Sequence, residues 1–357
     1  MGLINSIFAK TMEQTKKDIR ALSKEELRSF FESIGDKPFR GNQVYQWLWS
    51  KGAHAFDQMT NLSKQTRDHL QAHFVINHIQ VDSIQRSKDG TIKNGIKLHD
   101  GLVVESVLIP TGTRTTACVS SQVGCSLDCS FCATARLKRM RNLNPDEIYD
   151  QVVAIDKESR LNHNRPLSNI VFMGMGEPLM NYKNVLAAIE KITSPEGLSM
   201  SPKRIVVSTS GVPKMIKKMA DDNVKFNLAV SLHSAIQETR EKIMPFATSF
   251  TLTDLKESLE YWYEKTAKQI TYEYVVWNGI NDQKKDVAAL ITFCSYVPCK
   301  VNIIEYNPID DGMFQQADNK ALDLYITMLE KARIPVTVRR SRGKDIDAAC
   351  GQLANKQ

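Results

Sequence analysis

Two hydrophobic periods divide the chain. Up to about residue 75, apolar positions recur every three or four residues, the spacing of one helix face. Ser23 and Glu26 form a capping box, and Leu27, Phe30, Phe31 and Ile34 follow it. Val44, Trp47 and Leu48 mark a second helix that stops at Gly52, and a third begins near Ser63. Residues 76–110 turn to strand-like alternation, ending in VVESVLIP. Beyond that, short β-branched runs alternate with long amphipathic ones. The strand candidates are TTACVSS, NIVFMG, RIVVSTS, FNLAVSLH, ITYEYVVW, KVNIIEYN and PVTVRR, with helical stretches near 145–160, 182–193, 213–221, 253–268, 283–296 and 318–332. Asn144 as N-cap, Pro145 at the first helical position and Glu147 in the first turn punctuate the first of these. Repeated strand–helix units build a parallel sheet with right-handed crossovers. Six or more units without a GxGxxG fingerprint favour a closed or partial (β/α) barrel over a doubly wound sheet. The expected class is α/β: a helical accessory domain over 1–75, a strand-rich connector over 76–110, a core barrel over 111–344 and a C-terminal segment over 345–357.

Polar residues collect just after the strands. GMGE follows NIVFM, STSG closes RIVV, SLH closes FNLAV, NGIND follows YEYVV and YNP follows VNII. Any βα turn is rich in such residues. Five in succession point to the functional mouth of a β/α barrel.

Composition narrows the setting. Of 357 residues, 42% are hydrophobic and 24% charged, ordinary for a globular protein. No apolar run reaches membrane-spanning length, and MGLINSIFAK lacks the features of a secretory signal, so a cytoplasmic protein without membrane attachment is expected. The net charge of +7 suits a polyanionic partner. RLKRMR (Arg136, Lys138, Arg139, Arg141) and RRSRGK (Arg339, Arg340, Arg342, Lys344) are candidate phosphate contacts, or solvated basic faces.

Seven cysteines in such a setting argue against a disulfide framework and for ligands or catalysts. Cys125, Cys129 and Cys132 in CSLDCSFC have C-x3-C-x2-C spacing, close enough to share one metal centre. Zinc would need a distant fourth ligand such as a histidine. A four-iron cluster normally takes four cysteines, so three would leave one iron open to a substrate. Elsewhere, Cys294 and Cys299 read as core and Cys118 as a buried strand thiol, whereas Cys350 has little bulk beside it, between Ala349 and Gly351. By alternation alone Glu105 is a solvent-facing strand residue, and His233 is as well explained by a structural role as by a ligand contact.

With Phe131 just before the last cysteine, this spacing resembles the radical S-adenosylmethionine (SAM) superfamily. CVSSQVGCSLDCSFCAT, GMGEPLMN, VVSTSG, LAVSLH, EYNP and RGKDIDAACGQL, in this order, together with FRGNQVYQWLW, resemble the RlmN/Cfr family of RNA adenine methyltransferases over nearly the whole chain. Pro178 and Ser210 lean towards its RlmN side. The resemblance implies a partial barrel of the radical SAM type. It implies one [4Fe–4S] cluster on Cys125, Cys129 and Cys132, and SAM, two molecules per turnover, bound by Gly176, Glu177, Ser208, Ser231, Leu232, His233 and Asn307. It assigns Cys350 as a methyl carrier that becomes S-methylcysteine, Cys118 as the partner in a transient disulfide and Glu105 as proton acceptor.

Carbon 2 of adenine is electron-poor and cannot attack the methyl group of SAM directly, which is why the family uses radical chemistry on a cysteine-borne methyl group. The implied partners are 23S ribosomal RNA and transfer RNA, with an electron donor such as flavodoxin, and a monomer is expected. Alternatives are Cfr-type methylation of carbon 8, or a zinc-containing RNA-binding protein without catalysis. The chain departs from the family at FCATARLKRM, where Ala135 replaces a usual Gly and Lys138 and Arg139 a Gly-Phe pair.

Overall fold

The computed structural model describes residues 16–309 and 312–355, so the MGLINSIFAK start lies outside the described residues. Contacts divide the chain into two compact units, residues 16–78 with 195–198 and the remainder.

The first unit is built on α1 (Lys24–Ser33), α2 (Phe39–Trp49) and α3 (Lys64–His73). The capping box forms as expected: Ser23 Oγ accepts from the Glu26 N–H at 3.1 Å and Glu26 Oε2 from the Ser23 N–H at 2.6 Å. Gly41 lies where α2 meets α1, and a Cβ there would sit 2.6 Å from the Arg28 nitrogen. Trp47 departs from its expected place. Val44, Tyr45, Leu48 and Trp49 form the buried stripe, whereas Trp47 is only partly buried, with Lys51 Nζ 3.9 Å from its ring. At 100° per residue, position 47 falls on the flank of a stripe centred between 45 and 48.

The second unit holds one ten-stranded sheet among the described residues. Its strands are β1 (Gln80–Arg86), β2 (Ile92–Lys97), β3 (Val103–Thr111), β4 (Arg114–Cys118), β5 (Asn169–Phe172), β6 (Ile205–Thr209), β7 (Asn227–Ser231), β8 (Ile270–Val275), β9 (Cys299–Ile304) and β10 (Val336–Arg339). Each pairs with its sequence neighbour, β1 to β4 antiparallel and β4 to β10 parallel. The parallel part is an open barrel, and the strands of 76–110 extend the same sheet.

The crossovers are α4 (Pro145–His163), α5 (Tyr182–Thr193), α6 (Pro213–Asp221), α7 (Gln237–Ile243) with α8 (Leu252–Thr266), α9 (Lys284–Cys294) and α10 (Asn319–Lys331). Residues such as Ile170, Val207, Leu228, Tyr272 and Trp262 are buried in the core. The seven residues of α7, QETREKI, are too few and too polar for a helical period to show in the sequence. No helix among the described residues is long and apolar enough to cross a membrane.

Candidate active site

Four of the five polar strand ends converge; residues 278–282, after β8, do not line the cavity. Residues following β5, β6, β7 and β9 line one cavity together with Cys125, Cys129 and Cys132. The loop bearing the three thiols is closed at its base by antiparallel pairing of Gln122–Val123 with Arg141–Asn142. Its tip is tied to the end of α7: the Ser130 N–H donates to Ile243 O and the Phe246 N–H to Asp128 Oδ1, both at 2.9 Å. Phe131 packs edge-on against His233, ring centroids 4.9 Å apart, and tilted against Trp277 at 5.1 Å. Burial pushes the Cys125 thiol up to about 11 and Cys129 well above its ordinary value.

Opposite the thiols, Gly176 adopts φ +91°, and a Cβ there would lie 2.4 Å from the Gln122 side chain. Only glycine lets the chain pass so close. Gln122 Oε1 then accepts the Glu177 N–H at 2.9 Å. The buried Glu177 carboxylate receives N–H groups from Leu179 (3.0 Å) and Ser210 (2.8 Å); burial raises its pKa, and these donors pull against that.

Ser208, Ser231, His233 and Asn307 also line the cavity. Leu232 does not: its side chain is core, its N–H donates to Glu273 O at 3.0 Å and its carbonyl accepts from Arg240 Nε at 3.2 Å. His233 holds φ +56°, and its Nδ1 accepts the Val275 N–H at 3.2 Å, so the ring proton resides on Nε2. Burial, then the nearby Arg240 charge, push it down to about 3, leaving it neutral.

Cys350 is exposed on the cavity wall. Its segment is pinned on both sides: the Ala133 N–H donates to Gly351 O at 2.7 Å, Thr134 Oγ1 to Leu353 O at 2.6 Å, and Asn307 Nδ2 to Cys350 O at 3.2 Å. Cys118, buried at the end of β4, lies near enough that the charge of Cys350 adds to burial in pushing its thiol up to about 12.

Arg339 stands among Cys118, Cys350 and Glu273. Burial works against its charge, and those three acids outweigh it. Its Nη1 lies 3.6 Å from Glu273 Oε2. The pairing adds to its reading as a phosphate contact or solvated cation, and its side chain keeps 36% exposure.

Glu105 differs most from its expected place. It is 2% exposed, not solvent-facing. Its Oε1 pairs with buried Lys93 at 3.1 Å, and its Oε2 accepts the N–H groups of Ala354 (2.9 Å) and Asn355 (3.1 Å). Alternation missed this because β3 is buried on both faces there, with α4 and the C-terminal segment packed on it.

Residues 17–76 match the ribosomal RNA large subunit methyltransferase N-terminal domain, and residues 119–291 the radical SAM superfamily. A probable dual-specificity RNA methyltransferase RlmN of Flavobacterium johnsoniae is 73% identical over 97% of this chain and 99% of its own. The dual-specificity RNA methyltransferase RlmN of Geotalea uraniireducens is 41% identical over 96% of this chain and 97% of its own. A crystal structure of a radical SAM methyltransferase from Sphaerobacter thermophilus superimposes with TM-score 0.89 at 34% identity, covering 95% of this chain and all of that one. The chain belongs to the RlmN family.

As an RlmN-family protein it is a radical SAM RNA methyltransferase, and its superfamily implies a [4Fe–4S] cluster and SAM. The cavity fits that pair. Among the described residues no three ligands converge on a point for one metal ion. The three soft thiols instead stand around the end of a cavity, a donor set suited to an iron–sulfur group. Asn307 Oδ1 is a buried acceptor without a hydrogen-bond partner among the described residues, available to a polar cofactor. Of the departures from the RlmN pattern, Ala135 lines the cavity, while Lys138 and Arg139 are exposed. Arg136 is exposed too, whereas Arg141 is held by Asp100 at 2.6 Å and Glu147 at 2.7 Å.

Glu273, Lys93 and Arg240 were not singled out as site residues from the sequence, and Arg339 only as a candidate phosphate contact. A carboxylate in the apolar run ITYEYVV was a usable signal for Glu273; the others look like ordinary surface cations.

Proposed function

We propose that this chain methylates carbon 2 of an adenosine in 23S ribosomal RNA and in transfer RNA, with Cys350 as methyl carrier. The observation that supports this reading is a shared cavity: Cys350 faces the space bounded by Cys125, Cys129, Cys132, Gly176 and Glu177, with Cys118 beside it. The three thiolates hold the cluster. The Glu177 carboxylate suits the ammonium of SAM, and Gly176 lets backbone approach it; Ser208, Ser231, His233 and Asn307 form the rest of the bed. When bound, the cluster and SAM supply the electron and the hydrogen-atom acceptor that activate a methyl group, two SAM molecules serving each turnover.

Cys350 accepts a methyl group as S-methylcysteine and carries it to the base. Once the enzyme–base adduct has given up its carbon-2 proton and one electron, which the cluster would take back, the Cys118 thiolate attacks the Cys350 sulfur. An S–S bond forms, the carbon–sulfur bond to the base breaks, and the freed carbon keeps the bonding pair and takes up a proton to become the methyl group. A cellular thiol reduces the disulfide. Glu105 takes the proton from carbon 2 once the backbone of Ala354 and Asn355 leaves its carboxylate. The helical domain over 1–75 and the exposed Lys138, Arg139 and Arg340 contact RNA phosphates, and flavodoxin is a donor of the right kind.

The test is a reaction with methyl-deuterated SAM on unmodified 23S ribosomal RNA. Label on adenine carbon 2 is the expected result; label on carbon 8 assigns Cfr-type activity, and no label refutes both. The peptide bearing Cys350 is expected to carry a methyl group in the purified protein, and Cys350→Ala to abolish turnover.

A further inference from the structure

Arg240, on α7, is wholly buried, with 0% exposure. Its Nε donates to Leu232 O at 3.2 Å and its Nη2 to Ser210 O at 2.6 Å. Both acceptors are neutral carbonyls. Its Nη1 has no hydrogen-bond partner among the described residues. The Phe246 ring centre lies 5.6 Å from the guanidinium carbon and closes another side. A buried cation with an idle donor and no carboxylate is costly unless a negative charge arrives.

Cys129 packs against the core cluster of Ile243, Met244 and Ala247, at and just beyond the end of the helix that carries Arg240. The loop bearing Cys129 is clamped to the same helix end, through Ser130 on Ile243 O and Asp128 on the Phe246 N–H, so thiol and guanidinium are held together. Three thiolates carrying an iron–sulfur cluster would form an anionic group of the kind this guanidinium can balance.

We propose that Arg240 is the fixed counter-charge of the iron–sulfur cluster, its free Nη1 N–H serving the Cys129 side, where it favours the reduced, more negative state. This rests on the reading that Cys125, Cys129 and Cys132 hold the cluster. It adds a residue outside the cavity lining that sets how readily an electron enters.

The experiment compares anaerobically reconstituted wild type, Arg240→Met and Arg240→Lys by potentiometric titration followed by electron paramagnetic resonance. Arg240→Met is expected to lower the reduction equilibrium at least tenfold, 59 mV for one electron, and Arg240→Lys to retain most of the wild-type potential. A second arm measures thermal unfolding of the iron-free proteins, in which Arg240→Met should be no less stable than wild type, since an uncompensated charge has been removed. Reduction of Arg240→Met at the wild-type potential overturns the proposal. If that variant takes up no cluster, the second arm decides: an iron-free variant less stable than wild type marks Arg240 as a mere bracket for Leu232 and Ser210, and overturns it. A wild type that takes up no cluster removes both this inference and the site reading; a wild type that takes it up with an unshifted variant removes only the inference.

Discussion

His233 and Gly176 exemplify roles that depend on backbone as much as side chain. The neutral, buried His233 ties stability to pH. Below 6.5 the unfolded chain gains a proton there, and the folded chain does not until about 3. Its contribution is therefore complete above pH 6.5 and is lost as pH falls from 6.5 towards 3, by about 1.4 kcal/mol per unit. Urea unfolding of iron-free protein at pH 7.5 and 5 should show a smaller acid loss for His233→Asn, asparagine being tolerant of the positive φ.

Gly176→Ala sets a Cβ against Gln122 in a conformation that costs an L-residue about 1–3 kcal/mol. Displacing Glu177 in this way should weaken SAM binding about tenfold or more in equilibrium dialysis. The glycine and the acid were legible as a motif; the reason for the glycine, a glutamine 54 positions earlier in the chain, was not, because contact between distant segments leaves no trace in local pattern. The same holds for Arg339, whose RRSRGK setting gives no sign of Glu273 beside it.

Element by element, the barrel was readable because each β-branched run and each amphipathic stretch is long enough to show its period. Caps were readable too: Asn144 and Glu147 begin α4, with the Asn144 N–H on Glu147 Oε2 at 2.8 Å. What local pattern omitted is the second task of Glu147. It also receives Arg141 through both terminal nitrogens, at 2.7 and 2.8 Å, and so fixes the strand that closes the base of the cysteine loop. Glu147→Gln leaves the cap partly intact and Arg141 with Asp100 as its remaining carboxylate, a loss of about 2 kcal/mol. A lower melting temperature and faster loss of iron to a chelator are expected together.

Across the whole second unit, the residues that complete the cavity come from opposite ends of its sequence. The C-terminal segment lies against β2 and β3, where Lys93 holds Glu105 and reaches Asp347 O at 3.4 Å, while Asn355 Nδ2 donates to Val103 O at 2.9 Å. Glu105→Ala removes the acceptor for two backbone N–H groups and strands a buried lysine. Limited proteolysis should then cut within 345–355 well before it cuts wild type, with the barrel intact. The adjacent-strand order of the sheet has a consequence for biosynthesis. A nascent polypeptide can add each strand to the one just made, and domains form as units during synthesis. The three cysteines near 130 are therefore framed early, while the thiol at 350 reaches them only when translation of the barrel is over. A ribosome-stalled fragment can carry the three clustered thiols but not the thiol at 350 that completes the cavity wall.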